Sequence, residues 1–77
     1  MARLFFDLDS SDVHYTDTEG TELPDMAMVR NEATRFLATI FKDMLLDAGN
    51  HPVVVRVRDT EDRVVFSTML TLQENWA

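Results

Sequence analysis

The stretch PVVVRVRDTEDRVVFSTMLTL, residues 52–72, decides the fold of this 77-residue chain. Its apolar residues alternate along two runs that are separated by a short polar loop, Asp59–Asp62. Two alternating runs joined in this way are typical of a β-hairpin. The predicted core face of the hairpin carries Val53, Val55, Val57, Val64, Phe66, Thr68, Leu70 and Leu72.

The N-terminal residues predict two further strands. The segment RLFFDLD, Arg3–Asp9, alternates between apolar and polar residues, with Leu4, Phe6 and Leu8 on one face. This pattern predicts a half-buried strand. The segment VHYTD, Val13–Asp17, predicts a short second strand that can pair with the first as a hairpin.

A loop over Thr18–Pro24 and one long helix over Asp25–Ala48 are predicted between the two strand pairs. At 100° per residue the apolar positions of the helix span about 180°. A stripe this wide is typical of a helix that lies across a sheet. We expect Gly49–Asn50 to end the helix. The predicted stripe consists of Met26, Val29, Ala33, Phe36, Leu37, Ile40, Phe41, Met44, Leu45 and Ala48.

The start of the helix is predicted from a turn. Gly20 permits a tight turn after the second strand, and Leu23 packs beneath the first helical turn. Pro24 fixes the backbone ahead of the helix, and Asp25 is expected either to cap the helix or to stabilise its positive N-terminal end. Glu19 and Glu22 are not explained by this turn.

These elements predict an α+β fold in the order β-β-α-β-β, with a small antiparallel sheet and one long helix packed across one face. The length predicts a single domain over residues 1–77. Residues 72–77 are predicted to be a loose tail, with the alternative that Trp76 folds back. The chain has no cysteine, so a disulfide or thiolate zinc site cannot supplement its small core.

The sheet face turned away from the helix is predicted to be a binding surface. It carries Phe5, Val54, Val65 and Met69, and this is more apolar surface than a water-exposed face normally holds. One helix cannot cover both faces of a sheet. We therefore predict a homodimer that forms through sheet-to-sheet or edge-to-edge association.

The charge distribution is uneven. The net charge is −7, and residues 7–25 contain seven acidic residues and no lysine or arginine. This field repels nucleic acid and anionic lipid and favours a basic protein partner, with Asp17, Glu19 and Glu22 as candidate contact residues. The chain lacks an apolar run of about 20 residues and a signal-peptide pattern, which predicts a cytoplasmic protein without membrane association.

Divalent metal binding is a possible alternative use of the acidic residues. Asp7 and Asp9 share a strand face, and Asp17 follows in the next segment, so the three carboxylates are a candidate cation site. An EF-hand is disfavoured because Asp12 replaces the required glycine and Thr18 the required glutamate.

No catalytic, cofactor-binding or metal residue is assigned from the sequence. The two histidines, His14 and His51, lack metal-ligand spacing, and the isolated glycines cannot form a phosphate loop. A domain this small rarely forms a pocket of about 300 Å³. The sequence therefore predicts a protein that is not an enzyme.

Three arginines, Arg56, Arg58 and Arg63, cluster on the C-terminal hairpin. One interpretation is a small patch that binds an anion or nucleic acid. We favour pairing with the acidic residues of the hairpin loop or with Asp7 and Asp9 on a neighbouring strand.

Several segments together resemble a family of short bacterial proteins filed as a domain of unknown function. They are ARLFFDL at Ala2–Leu8, DTEGTELPD at Asp17–Asp25, an alanine-containing helix and VRVRD at Val55–Asp59. Members share an Arg-aromatic-Phe-Phe strand and a D-x-x-G-x-E-L-P-D segment. The resemblance implies a stand-alone α+β domain with no known activity. This chain has Asp7 where members often have histidine, so a role of that histidine cannot be transferred.

The leading functional prediction is a small non-enzymatic protein-interaction domain that self-associates. The alternative is an antitoxin-like regulator that binds a basic protein partner. That alternative rests on a similarity to toxin–antitoxin systems in the acidic start, the Pro24-Asp25 pair before the helix and the small sheet.

Overall fold

A computed structural model describes residues 2–10, 13–48 and 52–77, with the side chains of all these except residue 41 and residues 43–48. The elements in chain order are β1 (Ala2–Asp9), β2 (His14–Tyr15), β3 (Thr21–Leu23), a 3₁₀ turn (Met26–Met28), α1 (Val29–Ala48), β4 (Val53–Arg58) and β5 (Val64–Leu70). The α+β fold, with one helix on a small antiparallel sheet, is therefore confirmed.

Strand β1 is central to the sheet. The strand order is β2-β1-β4-β5, every pairing is antiparallel, and β3 also pairs with β1. Since β4 occupies one edge of β1, β2 and β3 share the other edge. β2 pairs at Leu8 and Asp9, whereas β3 pairs at Ala2–Leu4. The β1 residues between these two short strands have no strand partner on this edge.

The core lies between the sheet and α1, as the two hydrophobic patterns predict. α1 packs across β4 and β5. The rings of Phe6 and Phe36 pack edge-to-face, with their centroids 6.4 Å apart. Phe36, Ile40, Phe66 and Leu72 are partly buried against this core. The buried apolar residues are Leu4, Phe6, Leu8, Leu23, Val29, Ala33, Leu37, Val53, Val55 and Val57.

The segment between β2 and α1 differs from its prediction. Residues Thr21–Leu23, predicted as loop, form β3, because their backbone pairs with Ala2–Leu4 of β1. The helix does not begin at Asp25, since a 3₁₀ turn precedes α1. Asp25 is extended and makes no side-chain capping hydrogen bond, so the predicted cap is wrong.

Four further apolar residues are more exposed than predicted. Met26 is 51% exposed, because the 3₁₀ turn places it off the apolar stripe of α1. Val64 is 56% exposed and Leu70 is 40% exposed, because both lie on the edge strand β5, where the core covers one side only. Trp76 is 99% exposed and does not fold back, whereas Leu72 is partly buried against the core.

Some predictions lie outside the described residues. They concern the helix end at Gly49–Asn50, the role of Asp12 and the environment of His51. The predicted packing of Phe41, Met44, Leu45 and Ala48 likewise concerns side chains that the structure does not describe.

Candidate functional site

The carboxylate of Asp17 closes the unpaired part of the β1 edge. Its Oδ2 atom accepts the backbone N–H of Phe6 at 3.0 Å. Its Oδ1 atom accepts the backbone N–H groups of Glu19 at 3.2 Å and Gly20 at 3.1 Å. One side chain thus replaces a strand partner for β1 and also fixes the turn that leads into β3.

The environment of Asp17 favours its ionised form. Burial by itself raises the pKa of this carboxyl, but the hydrogen bonds from the N–H groups of Phe6, Gly20 and Glu19 outweigh burial. The positive charge of Arg58 acts in the same direction. The pKa of Asp17 is therefore held below its ordinary value.

Arg58 connects the hairpin to this turn. Its guanidinium binds Asp7 through two nitrogens, with Nε–Oδ2 at 2.5 Å and Nη2–Oδ1 at 3.0 Å. Nη2 also donates to the carbonyl oxygen of Asp17 at 2.9 Å, and Nη1 donates to Asp62 at 2.8 Å. The hydrogen bond to Asp7, more than any other contact, raises the pKa of Arg58. Asp7 in turn accepts the backbone N–H of Asp17 at 3.0 Å.

Gly20 is required at its position by both backbone conformation and space. Its φ is 78°, in the left-handed region that side chains disfavour. A Cβ atom there would lie 3.0 Å from the side chains of Arg3 and Phe5 and 3.1 Å from the carbonyl oxygen of Leu4. The turn can therefore approach β1 this closely only because residue 20 is glycine.

The candidate acidic contact residues have different surroundings. Glu22 pairs with Arg3 at 3.1 Å, and Arg3 also donates to the carbonyl oxygen of Glu19 at 2.5 Å. Asp17 is committed to backbone N–H groups. Glu19 differs from Asp17 and Glu22, because its hydrogen bonds to Asp17 and Arg3 are made by its backbone N–H and carbonyl oxygen.

The sheet face opposite the helix is more polar than predicted. The guanidinium of Arg58 lies over the ring of Phe5, with its central carbon 5.0 Å from the ring centroid. Arg56 pairs with Asp9 at 3.1 Å, and His14 Nδ1 contacts the same carboxylate. The hydrogen bond from Arg56 is the largest reason that the pKa of Asp9 is lowered. Pairing of the hairpin arginines with nearby acids is thus confirmed.

The four predicted apolar contact residues do not form one patch. Phe5 and Val54 are half-buried, whereas Val65 and Met69 are exposed. Val54 pairs with Asp9 on one side and Met69 on the other, and Phe5 lies four residues from Asp9 along β1. Since the arginine–aspartate pairs lie between the apolar groups, the argument for face-to-face sheet packing is weakened.

The carboxylates of the proposed cation site are occupied by protein donors. Asp7 binds Arg58, Asp9 binds Arg56, and Asp17 binds backbone N–H groups. Within the described residues, no group of three or more potential ligands is placed to hold a metal ion.

A cleft between the β1 edge and the start of α1 was missed by the sequence analysis. Its volume is about 320 Å³, larger than expected for so small a domain. Its residues come from β1, β2, the turn, β3 and α1, so no local sequence pattern indicates it. They are Phe6, Tyr15, Asp17, Glu19, Gly20, Thr21, Glu32 and Phe36.

The fold and this cluster define a small α+β domain whose central strand is completed by a carboxylate. The chain belongs to the family described as "Domain of unknown function (DUF6894)", whose model matches residues 3–71. The resemblance to an uncharacterised domain family is thereby confirmed. Neither the curated proteins nor the solved structures give a match. Among the described helical residues, no helix is long and apolar enough to cross a membrane.

Proposed function

We propose that this domain is a non-enzymatic protein-interaction module that self-associates through the outer edge of β5. The observation that carries the proposal is the character of this edge. β5 is the last strand in the sheet order, and its sequence VVFSTML has no charged residue and no proline. Edge strands of monomeric proteins usually carry such residues to prevent pairing with another chain.

The exposure of β5 supports the same proposal. Val64 is 56% exposed and Met69 is 61% exposed, and Val65 and Leu70 are also exposed. On the opposite side, the edge of β1 is covered by the Asp17 carboxylate and by β2 and β3, whose two and three residues are too short to pair extensively with another chain. One edge is thus protected within the described chain, whereas the other presents apolar side chains.

The sequence of β5 is complementary to itself. In an antiparallel pair of two β5 strands centred on Ser67, Val65 faces Met69 and Val64 faces Leu70 across the two-fold axis. Each exposed apolar residue then meets another apolar residue, as a symmetric dimer requires. An interface of one strand pair is small, so we expect a weak, concentration-dependent dimer.

Size-exclusion chromatography with light scattering tests this proposal with Met69→Lys. A charge on the edge should shift the equilibrium toward monomer. Met26→Lys is the matched control, because Met26 is similarly exposed but lies far from β5 in the sequence, before α1. A wild-type protein that stays monomeric at hundreds of micromolar, or equal effects of the two substitutions, would contradict the proposal.

The antitoxin-like alternative stays a prediction. Amide hydrogen exchange distinguishes it from self-association. A stable one-to-one complex with a basic protein, in which the amides of the β5 edge are not protected, would favour the antitoxin-like alternative.

A further inference from the structure

The cleft between the β1 edge and α1 combines aromatic walls with carboxylates. Three of its eight lining residues are aromatic: Phe6, Tyr15 and Phe36. The rings of Phe6 and Phe36 pack edge-to-face at the core, and Tyr15 is half exposed. The aromatic surface is therefore anchored on one side and open to solvent on the other.

The charged residues that line the cleft are all acidic. Asp17, Glu19 and Glu32 contribute to the cleft, and its lining residues include no lysine, arginine or histidine. Glu32 has one salt bridge, to Arg35 at 3.3 Å, and this exposed pair stabilises little. The carboxylate of Asp17 is compensated by three backbone N–H groups and by the positive charge of Arg58, so the negative potential of the cleft rests on Glu19 and Glu32.

Aromatic rings beside carboxylates are suited to an organic cation. The ring faces attract the cation, and a carboxylate supplies a charge-assisted hydrogen bond. A volume of about 320 Å³ admits one long side chain. We propose that this cleft binds the cationic side chain of a lysine or arginine presented by a basic protein segment. The cleft lies at the edge of the sheet opposite β5, so this binding does not depend on the proposed self-association.

Amide NMR titration with acetyl-Gly-Arg-Gly-amide tests the proposal, because it reports both affinity and location. We expect shifts that centre on Tyr15, Gly20 and Phe36 and decrease at high salt. The matched probe is the same tripeptide with citrulline, which keeps the shape of arginine and lacks its charge. Equal shifts with the citrulline peptide would overturn the proposal.

Charge-neutral variants locate the interaction. Glu19→Gln and Glu32→Gln should each weaken binding about two- to five-fold, the range expected for an exposed ion pair. Glu74→Gln makes the same change in net charge outside the cleft, and it should leave the affinity unchanged. Tyr15→Leu should also weaken binding, because it removes the ring and keeps an apolar side chain. If Glu74→Gln weakens binding as much as the cleft variants, only the overall charge matters and the assignment fails.

Methylguanidine separates a protein side chain from a small free cation. The tripeptide should bind more tightly, since its backbone adds contacts at the cleft rim. Equal affinity of the two probes would overturn the assignment to a protein segment.

Discussion

The Oδ2 atom of Asp17 lies 3.0 Å from the backbone nitrogen of Phe6, and this hydrogen bond joins the acidic turn to the central strand. It fills the interval on the β1 edge between the pairing of β2 and that of β3. Asp17 is consequently a structural residue of the sheet, although it lies outside every strand.

Asp17→Ala should destabilise the domain by about 2 kcal/mol, because three backbone N–H groups lose a charged acceptor. Urea unfolding followed by circular dichroism measures this change. Asp25→Ala is the control, since Asp25 makes no capping hydrogen bond and its loss should have little effect. Equal destabilisation by both variants would show that only the negative charge of the segment matters.

The stability should fall in acid partly through Asp17. Its folded pKa lies below the ordinary value of 3.8, so between these two pKa values the unfolded state binds more protons than the folded state. The contribution of Asp17 is therefore present above pH 3.8 and is lost as the pH falls through the folded pKa. Urea midpoints of wild type and Asp17→Asn should differ at pH 7 and converge in acid. A constant difference at every pH would contradict this role.

Arg58→Lys should lower the urea midpoint more than Arg63→Lys. Lysine cannot reproduce the two-nitrogen contact with Asp7 while also reaching the carbonyl oxygen of Asp17. Arg63 pairs with Asp59 within the same hairpin and is more exposed than Arg58. Comparable effects of the two variants would mean that the guanidinium geometry of Arg58 is unimportant.

Gly20→Ala should destabilise the fold by at least about 1 kcal/mol, because alanine disfavours a left-handed backbone. The contacts of its Cβ with Arg3 and Phe5 add to this effect. Thr21→Ala, at the adjacent exposed position in β3, is the control for a small substitution next to the turn. A thermal unfolding midpoint at or above that of wild type would refute the role of Gly20.

Salt should have opposite effects on the two proposed interactions. Each chain carries a net charge of −7, so screening should strengthen association between copies. The same screening should weaken binding of an arginine side chain to the cleft. Sedimentation equilibrium and the NMR titration, each at low and high sodium chloride, check the two directions separately.

The long elements could be predicted because each carries a hydrophobic period over many residues. β1, β4 and β5 alternate, and α1 has a wide apolar stripe, so their positions follow from burial alone. β3 has only three residues and is held by backbone pairing to β1, which leaves no period to detect. The exposure of Met26 depends on a local 3₁₀ turn that the helical wheel does not represent.

The candidate site was less predictable than the fold. Asp17 was recognised as part of an acidic segment, but its backbone partners depend on the register of β1 against β3. The cleft brings Tyr15 together with Phe36, which lies 21 residues later in the sequence. Glu22 was unexplained because its partner, Arg3, is 19 residues away.

The central position of β1 also constrains when the domain can fold during synthesis. The strand is made before its partner β4, which begins only at Val53, and its bidentate ion pair requires Arg58. A nascent chain that ends before this hairpin would expose the apolar side of β1 to the solvent. Folding on the ribosome should therefore occur late, in a single step, after the C-terminal hairpin has left the exit tunnel.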